Sequence, residues 1–360
     1  GTGKQYAIST TTVGTYTSDY NDFYSSGNVR NVLGAAVSVD QATIAAWRTA
    51  TSGDANSLNI QPVFVSATNL HLTAADNCGL NGKATPISIT TDYDDQVRDA
   101  LTPDIGADEF TPTMSTTLGG VVSTTVCDSR IISGTTDFTA NTCNLLATVQ
   151  PAGASPVSGT VNTCVYIDPA VLPTYNAEPY VQRHIDITPA TNPTTSTGRI
   201  TLYFTDAEFT TFNANNAAWP DLPTAAGGGN SDPIIANLRV TQYHGTPNTS
   251  PSSPNQYSGG TATLINPNDA DIVWNGNYWA VSFDVTGFSG FYVHTNLRFV
   301  LPIELNYFRG SKQGSSHLLD WKVTCNATPT ATLVLERSSS ATGGFAPIYS
   351  INATAARCNQ

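Results

Sequence analysis

The sequence predicts an all-β chain in which coils of a parallel β-helix are followed by an antiparallel β-sandwich. Three observations carry this expectation. Charged residues fill only 12% of the 360 positions, about half of the roughly 25% usual in globular chains, and Ser, Thr, Asn, Gly and Pro fill the gap. Such a polar mixture also suits disorder, but disordered chains are poor in aromatic and β-branched residues. Here 15 Tyr, 13 Phe and 5 Trp stand among many Val and Ile. The apolar runs are short and are punctuated by Gly- and Pro-containing clusters, the pattern of short strands joined by turns.

Residues 1–111 form the first region. Its apolar runs lie at 6–8, 32–33, 63–65, 70–72 and 87–89, separated by turn clusters at 25–28 and 76–79. One helix is expected over 41–51, with Asp40 as its N-cap and Ile44, Trp47 and Arg48 at helical spacing. Short strands with irregular connections and no hairpin signal suit stacked β-helical coils, each packed only on its neighbours.

Residues 112–301 form the second region, where alternation is clearer. Ile200, Leu202 and Phe204 alternate with Thr201 and Tyr203, and Trp279, Val281, Phe283 and Val285 alternate with Ala280, Ser282 and Asp284. Period two marks half-buried strands. Further strands are expected at 144–149, 157–167, 180–188, 235–243, 261–265 and 290–295. A short helix is expected over 206–213, where Thr205 and Glu208 have capping-box spacing. Seven or more short strands over this length predict an antiparallel sandwich. Residues 302–360 form a third, short, strand-rich region.

Six cysteines stand at 78, 127, 143, 164, 325 and 358. No Cys-x-x-Cys pair and no Cys/His cluster suggests zinc, so disulfides in an oxidising compartment are expected. Cys325 is expected to pair with Cys358, since both lie in the last region. Cys143 and Cys164 flank two strand-like runs whose hairpin would bring them together; that pair is expected, with Cys127–Cys143 as the alternative, and Cys78 as a buried thiol. The net charge of −12 and the lack of a basic patch make nucleic acid and anionic membranes poor partners. No run of 18 apolar residues is present, so no spanning helix is expected. The chain opens without Met or a signal peptide and stops abruptly at Gln360, which predicts a piece of a larger gene product.

Four segments of the first region stand in order: Ser18-Asp-Tyr-Asn-Asp-Phe-Tyr24, Ile60-Gln-Pro-Val-Phe-Val65, Thr91-Asp-Tyr-Asp-Asp-Gln-Val-Arg98 and Pro103-Asp-Ile-Gly-Ala-Asp-Glu-Phe110. Together they resemble the last coils of the right-handed parallel β-helix (pectin-lyase-like) proteins secreted by Bacteroidota. Glu178-Pro-Tyr-Val-Gln-Arg-His-Ile-Asp-Ile187 and Gly287-Phe-Ser-Gly-Phe-Tyr-Val-His-Thr295 resemble a sandwich module that accompanies such helices. Leu301-Pro-Ile-Glu-Leu-Asn-Tyr-Phe308, His317-Leu-Leu-Asp-Trp-Lys-Val323 and Thr332-Leu-Val-Leu-Glu-Arg-Ser338 resemble the first strands of a fibronectin-type-III-like domain. In those proteins that domain precedes a sorting domain read by the type IX secretion system. The resemblance implies an architecture and a secretion route, with no activity attached.

The densest constellation of candidate chemistry is the acidic run Asp92, Asp94, Asp95, Asp99, Asp104, Asp108 and Glu109. Several carboxylates suit calcium, but the Gly and distal Glu of a calcium loop are missing, and the competing reading is that these side chains cap local backbone N–H groups. Lyase chemistry needs a base beside acidic ligands, and of Lys4, Arg30, Arg48, Lys83 and Arg98 only Arg98 has such neighbours. His71, His184, His244, His294 and His317 are scattered and read as isolated hydrogen-bonded or surface residues. Gly227-Gly-Gly229 lacks the Lys of a phosphate loop. Trp219, Trp274, Tyr278 and Trp279 are candidates for sugar stacking, against core packing. The resulting expectation is a non-catalytic extracellular structural or adhesive surface protein, self-associating into fibres, with other copies or surface glycans as partners, no cofactor, and no catalytic or metal-binding residue assigned. The rival is a polysaccharide-binding or polysaccharide-cleaving protein.

Overall fold

The computed structural model describes residues 3–352 apart from 15, 28–29, 115, 118, 120–121, 176–177, 217, 246–253, 255–256, 258–260, 296–303, 325–331 and 341–342. The chain divides into two compact units, Gly1–Thr295 and Asn296–Gln360.

The first unit opens with β1 (Gln5–Thr10), β2 (Asn31–Ala36), β3 (Val39–Gln41), helix α1 (Ile44–Thr51), β4 (Phe64–Ser66) and β5 (Asn69–Leu72). Strands β1 and β2 pair in parallel, Gln5 opposite Asn31. Strand β3 then folds back antiparallel on β2, because Val37 and Ser38 both take left-handed φ, 49° and 64°, the conformation of a tight two-residue hairpin. No Gly or Asn announces that turn, so the sequence carries no hairpin signal there. Strands β4 and β5 form a second antiparallel pair. Regular parallel coils are therefore not shown over 1–111. Helix α1 starts three residues later than expected, and its cap is Thr43, whose Oγ1 accepts from the Ala46 N–H at 3.1 Å. Asp40 instead accepts from Lys4 and Tyr6. Trp47 is wholly buried on Leu33 and donates its indole N–H to Asp54 at 2.7 Å.

The sandwich follows: β6 (Val122–Ile132), β7 (Thr136–Thr139), β8 (Leu145–Pro151), β9 (Gly159–Ile167), β10 (Thr174–Tyr175), β11 (Glu178–Pro179), β12 (Arg183–Pro189), β13 (Thr197–Phe204), α2 (Asp206–Asn215), β14 (Leu238–His244), β15 (Ala262–Ile265), β16 (Ile272–Trp274), β17 (Trp279–Thr286) and β18 (Ser289–Thr295). One antiparallel sheet has the order β15-β14-β18-β12-β9-β6, the other β16-β17-β13-β8-β7. Their inward residues form one core. Ile200, Leu202, Phe204, Trp279 and Val281 come from one sheet; Val161, Val165, Ile185, Ile187, Val240, Phe291 and Val293 come from the other. Each large side chain so buried contributes roughly 1.5–3 kcal/mol. The expected alternation at 200–204 and 279–285 is thus the pattern of the two central strands of one sheet.

Helix α2 has the expected capping box between Thr205 and Glu208. Glu208 has a second task. Its carboxylate takes a two-pronged bond from the fully buried Arg183, Nε to Oε1 at 2.9 Å and Nη2 to Oε2 at 3.2 Å. The pair ties the helix start on one sheet to β12 on the other, and breaking such a buried pair from one side costs about 3–5 kcal/mol.

The disulfides differ from expectation. Cys78 bonds Cys143, and Cys127 bonds Cys164. The hairpin argument for Cys143–Cys164 fails because β8 and β9 do not pair: β8 lies between β7 and β13, whereas β9 lies between β6 and β12 in the opposite sheet. Cys164 stands directly across from Cys127 on β6. Cys143 sits in the turn after β7 with φ 58°, which swings it toward Cys78, so Cys78 is no free thiol. Cys325 and Cys358 lie outside the described residues.

Around Cys78–Cys143 the first region is pinned to the sandwich. Lys83 Nζ reaches Asp128 and the Ser129 carbonyl. Arg130 Nε donates to Asp128 at 2.6 Å, and its Nη groups reach Asn81 O at 3.0 Å and Cys78 O at 3.2 Å. Gly79 permits the approach: a Cβ there would stand 2.5 Å from Asn141 Oδ1.

The second unit contains two antiparallel hairpins, β19 (Glu304–Gln313) with β20 (Ser316–Thr324), and β21 (Thr332–Arg337) with β22 (Ala346–Asn352). Arg309 pairs with Asp320 across the first, Nη2 to Oδ2 at 2.7 Å.

Two outcomes test this description. Replacing both Cys78 and Cys143 by Ala should lower the unfolding free energy by about 4 kcal/mol, as expected for a link across some 65 residues; chemical denaturation measures this, and a negligible loss contradicts the clamp. The second concerns His184, buried between Tyr166 and Tyr292 with neither ring nitrogen bonded among the described residues. Burial pushes its pKa down to about 3. The unfolded chain takes up that proton near pH 6.5 and the fold refuses it, so stability is full above about pH 6.5 and falls by up to ~1.4 kcal/mol per pH unit toward pH 3. His184→Phe should flatten that slope, leaving the same-signed contribution of His294, whose pKa burial also lowers; identical slopes in denaturation series at several pH values would contradict it.

Candidate functional site

The acidic run folds into turns that close the first region. Asp92 Oδ1 accepts from the N–H groups of Asp94 at 2.9 Å and Gln96 at 2.8 Å, and Oδ2 from that of Glu109 at 3.0 Å. The Glu109 N–H leads the contacts that hold the Asp92 carboxyl below its ordinary range. Asp99 accepts from Leu101 and Thr102 at 2.8 and 2.7 Å. Asp104, nearly inaccessible, accepts from Gly82 at 2.7 Å and Phe110 at 2.9 Å, and burial pushes its pKa up to about 6. Glu109 accepts from Asp99 at 2.9 Å and Asp104 at 3.0 Å and lies 3.5 Å from Arg98. These four carboxylates are satisfied by backbone N–H groups, the turn chemistry weighed against calcium.

Asp94 and Asp108 are differently placed. Asp94 Oδ2 lies 2.5 Å from His71 Nε2. Asp108 Oδ2 accepts from the Leu72 N–H at 2.7 Å. One ligand atom from each of His71, Asp94 and Asp108 falls within 4.8 Å of the others. Strand β5 supplies His71, the turn after Thr91 supplies Asp94, and the chain beyond Gly106 supplies Asp108. The imidazole's other nitrogen, Nδ1, rests on the Asn69 side-chain oxygen. Asp94, through its hydrogen bond and its charge, raises the His71 pKa, with Asp108 and Asp92 adding to it. Leu70, Tyr93 and Ala107 line the shallow depression around the trio. His71 is hydrogen-bonded and half-exposed, as expected, but its approach to Asp94 and Asp108 was not expected. The one local signal was Asn69-x-His71, which puts both side chains on the same face of a strand.

The remaining candidates resolve into structural roles. Trp279 is wholly buried in the sandwich core. Trp274 packs tilted against it at 5.5 Å, and Tyr278 meets Tyr203 edge-on at 5.2 Å. Trp219 is half-buried. These four do not make a flat exposed platform. The Gly227–Gly229 loop wraps the Asp232 carboxylate, which accepts from Thr224 N at 3.1 Å; a fixed negative charge is a poor cradle for phosphate. His244 and His294 bond Thr263 and Thr241 at 2.9 and 2.7 Å. Lys4, Arg48, Lys83 and Arg98 each contact a carboxylate or backbone carbonyl.

No protein family, no curated protein and no solved structure matches the chain.

Removing the Asp92 carboxylate tests the turn reading. In Asp92→Ala the amides of Asp94, Gln96 and Glu109 should exchange with deuterium about tenfold faster or more, since each loses its acceptor. Unchanged protection at those three amides would contradict it.

Proposed function

We propose that the chain is part of an extracellular, non-catalytic structural or adhesive surface protein that associates with further copies of itself. The observation that carries this reading is a run of uncovered apolar side chains in the closing part of the first region. Ile87, Ile89 and Tyr93 line one depression, Leu70 and Tyr93 the next, and Tyr93 is 85% and Leu70 66% exposed. Contiguous apolar surface of this kind marks an interaction site. Two disulfides suit an oxidising, extracellular setting, and no described helix is long and apolar enough to cross a membrane.

In this reading residues 1–111 are the closing coils of a β-helix. The parallel β1–β2 pair supports it. So do the parallel bridge between Asp22 and Leu58 and the Leu72–Asp108 bond, each linking positions some 36 residues apart. The resemblance at Pro103–Phe110 supports the closing coils, and that at 301–338 supports export by the type IX route, with residues 302–360 as the start of a fibronectin-like domain. A polysaccharide partner is the competing reading, and Tyr93 is the exposed ring that would serve it.

Sedimentation velocity over a concentration series decides between them. The chain should assemble, and the Ile87→Glu/Ile89→Glu double substitution should weaken assembly at least roughly tenfold by placing charge on the apolar surface. A chain that stays monomeric at all concentrations, and is retarded instead on polysaccharide affinity gels, would sink the self-association reading in favour of its rival.

A further inference from the structure

We propose that His71, Asp94 and Asp108 bind one divalent first-row transition cation of the zinc class. This inference is independent of the self-association reading. It starts from how differently these residues are treated from the rest of the acidic run. Asp92, Asp99, Asp104 and Glu109 each take two or more backbone N–H groups. Asp94 takes none among the described residues, and its described partner is the His71 ring. Asp108 accepts one N–H at Oδ2, from Leu72. Two carboxylates thus converge on an imidazole from separate segments of chain, all three within 4.8 Å.

The imidazole decides the class of ligand. Asn69 Oδ1 can only accept, so its contact with Nδ1 places a ring proton on that nitrogen and leaves Nε2 for a ligand. A second atom then fixes the ring, as metal-bound histidines are fixed by a partner on the other nitrogen. Nε2 faces the Asp94 carboxylate at 2.5 Å, an ion pair when the ring carries both protons. That approach needs a positive centre between the two atoms, which either a proton or a metal ion supplies. A proton on Nε2 would satisfy Asp94 alone, whereas a divalent cation would satisfy Nε2, Asp94 and Asp108 together. Calcium and magnesium favour oxygen-only shells. One nitrogen and two carboxylate oxygens, with an open side for water, suit zinc and its neighbours. The depression is open to solvent, since Leu70 and Tyr93 at its rim are exposed.

Isothermal titration of the whole chain with zinc chloride near neutral pH tests this, with calcium chloride as a parallel titration. The expected result is one equivalent of zinc bound, a zinc-dependent rise in melting temperature, and no competition from excess calcium. His71→Gln, Asp94→Asn and Asp108→Asn should each weaken zinc at least tenfold. Asp108→Asn keeps an oxygen for the Leu72 N–H, and His71 is half-exposed, so matching apo melting temperatures will show that these variants fold. Zinc affinity should also fall as pH drops and protons take Nε2. Absence of zinc binding, zinc binding unchanged in His71→Gln, or displacement of zinc by calcium would each overturn the proposal.

Discussion

Asp128 is the carboxylate on which the joining of the first region to the sandwich depends. It lies nearly buried on β6 and holds Lys83 from the first region, Arg130 from its own strand and the Thr139 N–H from β7. A buried charge is costly unless paired and hydrogen-bonded. Here the pairing spans three pieces of chain, so each piece must be present for the others to be satisfied. Burial lowers the Lys83 pKa against the pull of Asp128. The arrangement is therefore a tensioned one, and the Cys78–Cys143 bond beside it holds its parts in register. Arg130 extends it to the carbonyls of Cys78 and Asn81, the latter two residues from Lys83.

The same logic of obligatory partners recurs across the two sheets. Arg183 and Glu208 are buried together, and Glu208 also accepts the Thr205 N–H that starts α2. A single carboxylate thereby sets where the helix begins and where β12 lies beneath it. On the outer face of the six-stranded sheet, Tyr180, Tyr243 and Tyr257 pack edge-on around Tyr292, which stacks on His184. Tyrosine rings cover that face, whereas aliphatic residues and Phe291 fill the inner one. Tyr257 fits there because its ring lies over Gly290 of β18, whose missing side chain leaves room for it.

What was legible in the sequence was local. Alternation over 200–204 and 279–285 identified the central strands, and Thr205 with Glu208 announced the α2 cap. Pairing was illegible, because β8 joins β13 across a gap that contains β9 and β12. The error over Cys143 and Cys164 follows directly from assuming that consecutive runs form a hairpin. The turn at Val37 and Ser38 was invisible for a different reason: β-branched and bulky residues rarely accept positive φ. The trio of His71, Asp94 and Asp108 was hidden by distance along the chain, His71 and Asp94 being 23 residues apart. The acidic run was conspicuous in the sequence, but most of it is occupied with backbone N–H groups.

Strand β6 is one of the two outermost strands of the six-stranded sheet and, among the described residues, pairs with β9. An outermost strand is the first to peel when a chain is pulled, because its hydrogen bonds break one after another like a zip. The Cys127–Cys164 bond rivets β6 to β9 partway along that seam. Peeling that begins at the start of β6 would run only as far as the rivet, and load would then pass covalently into β9, which has neighbours on both sides. This edge of the sheet is built to stop a tear.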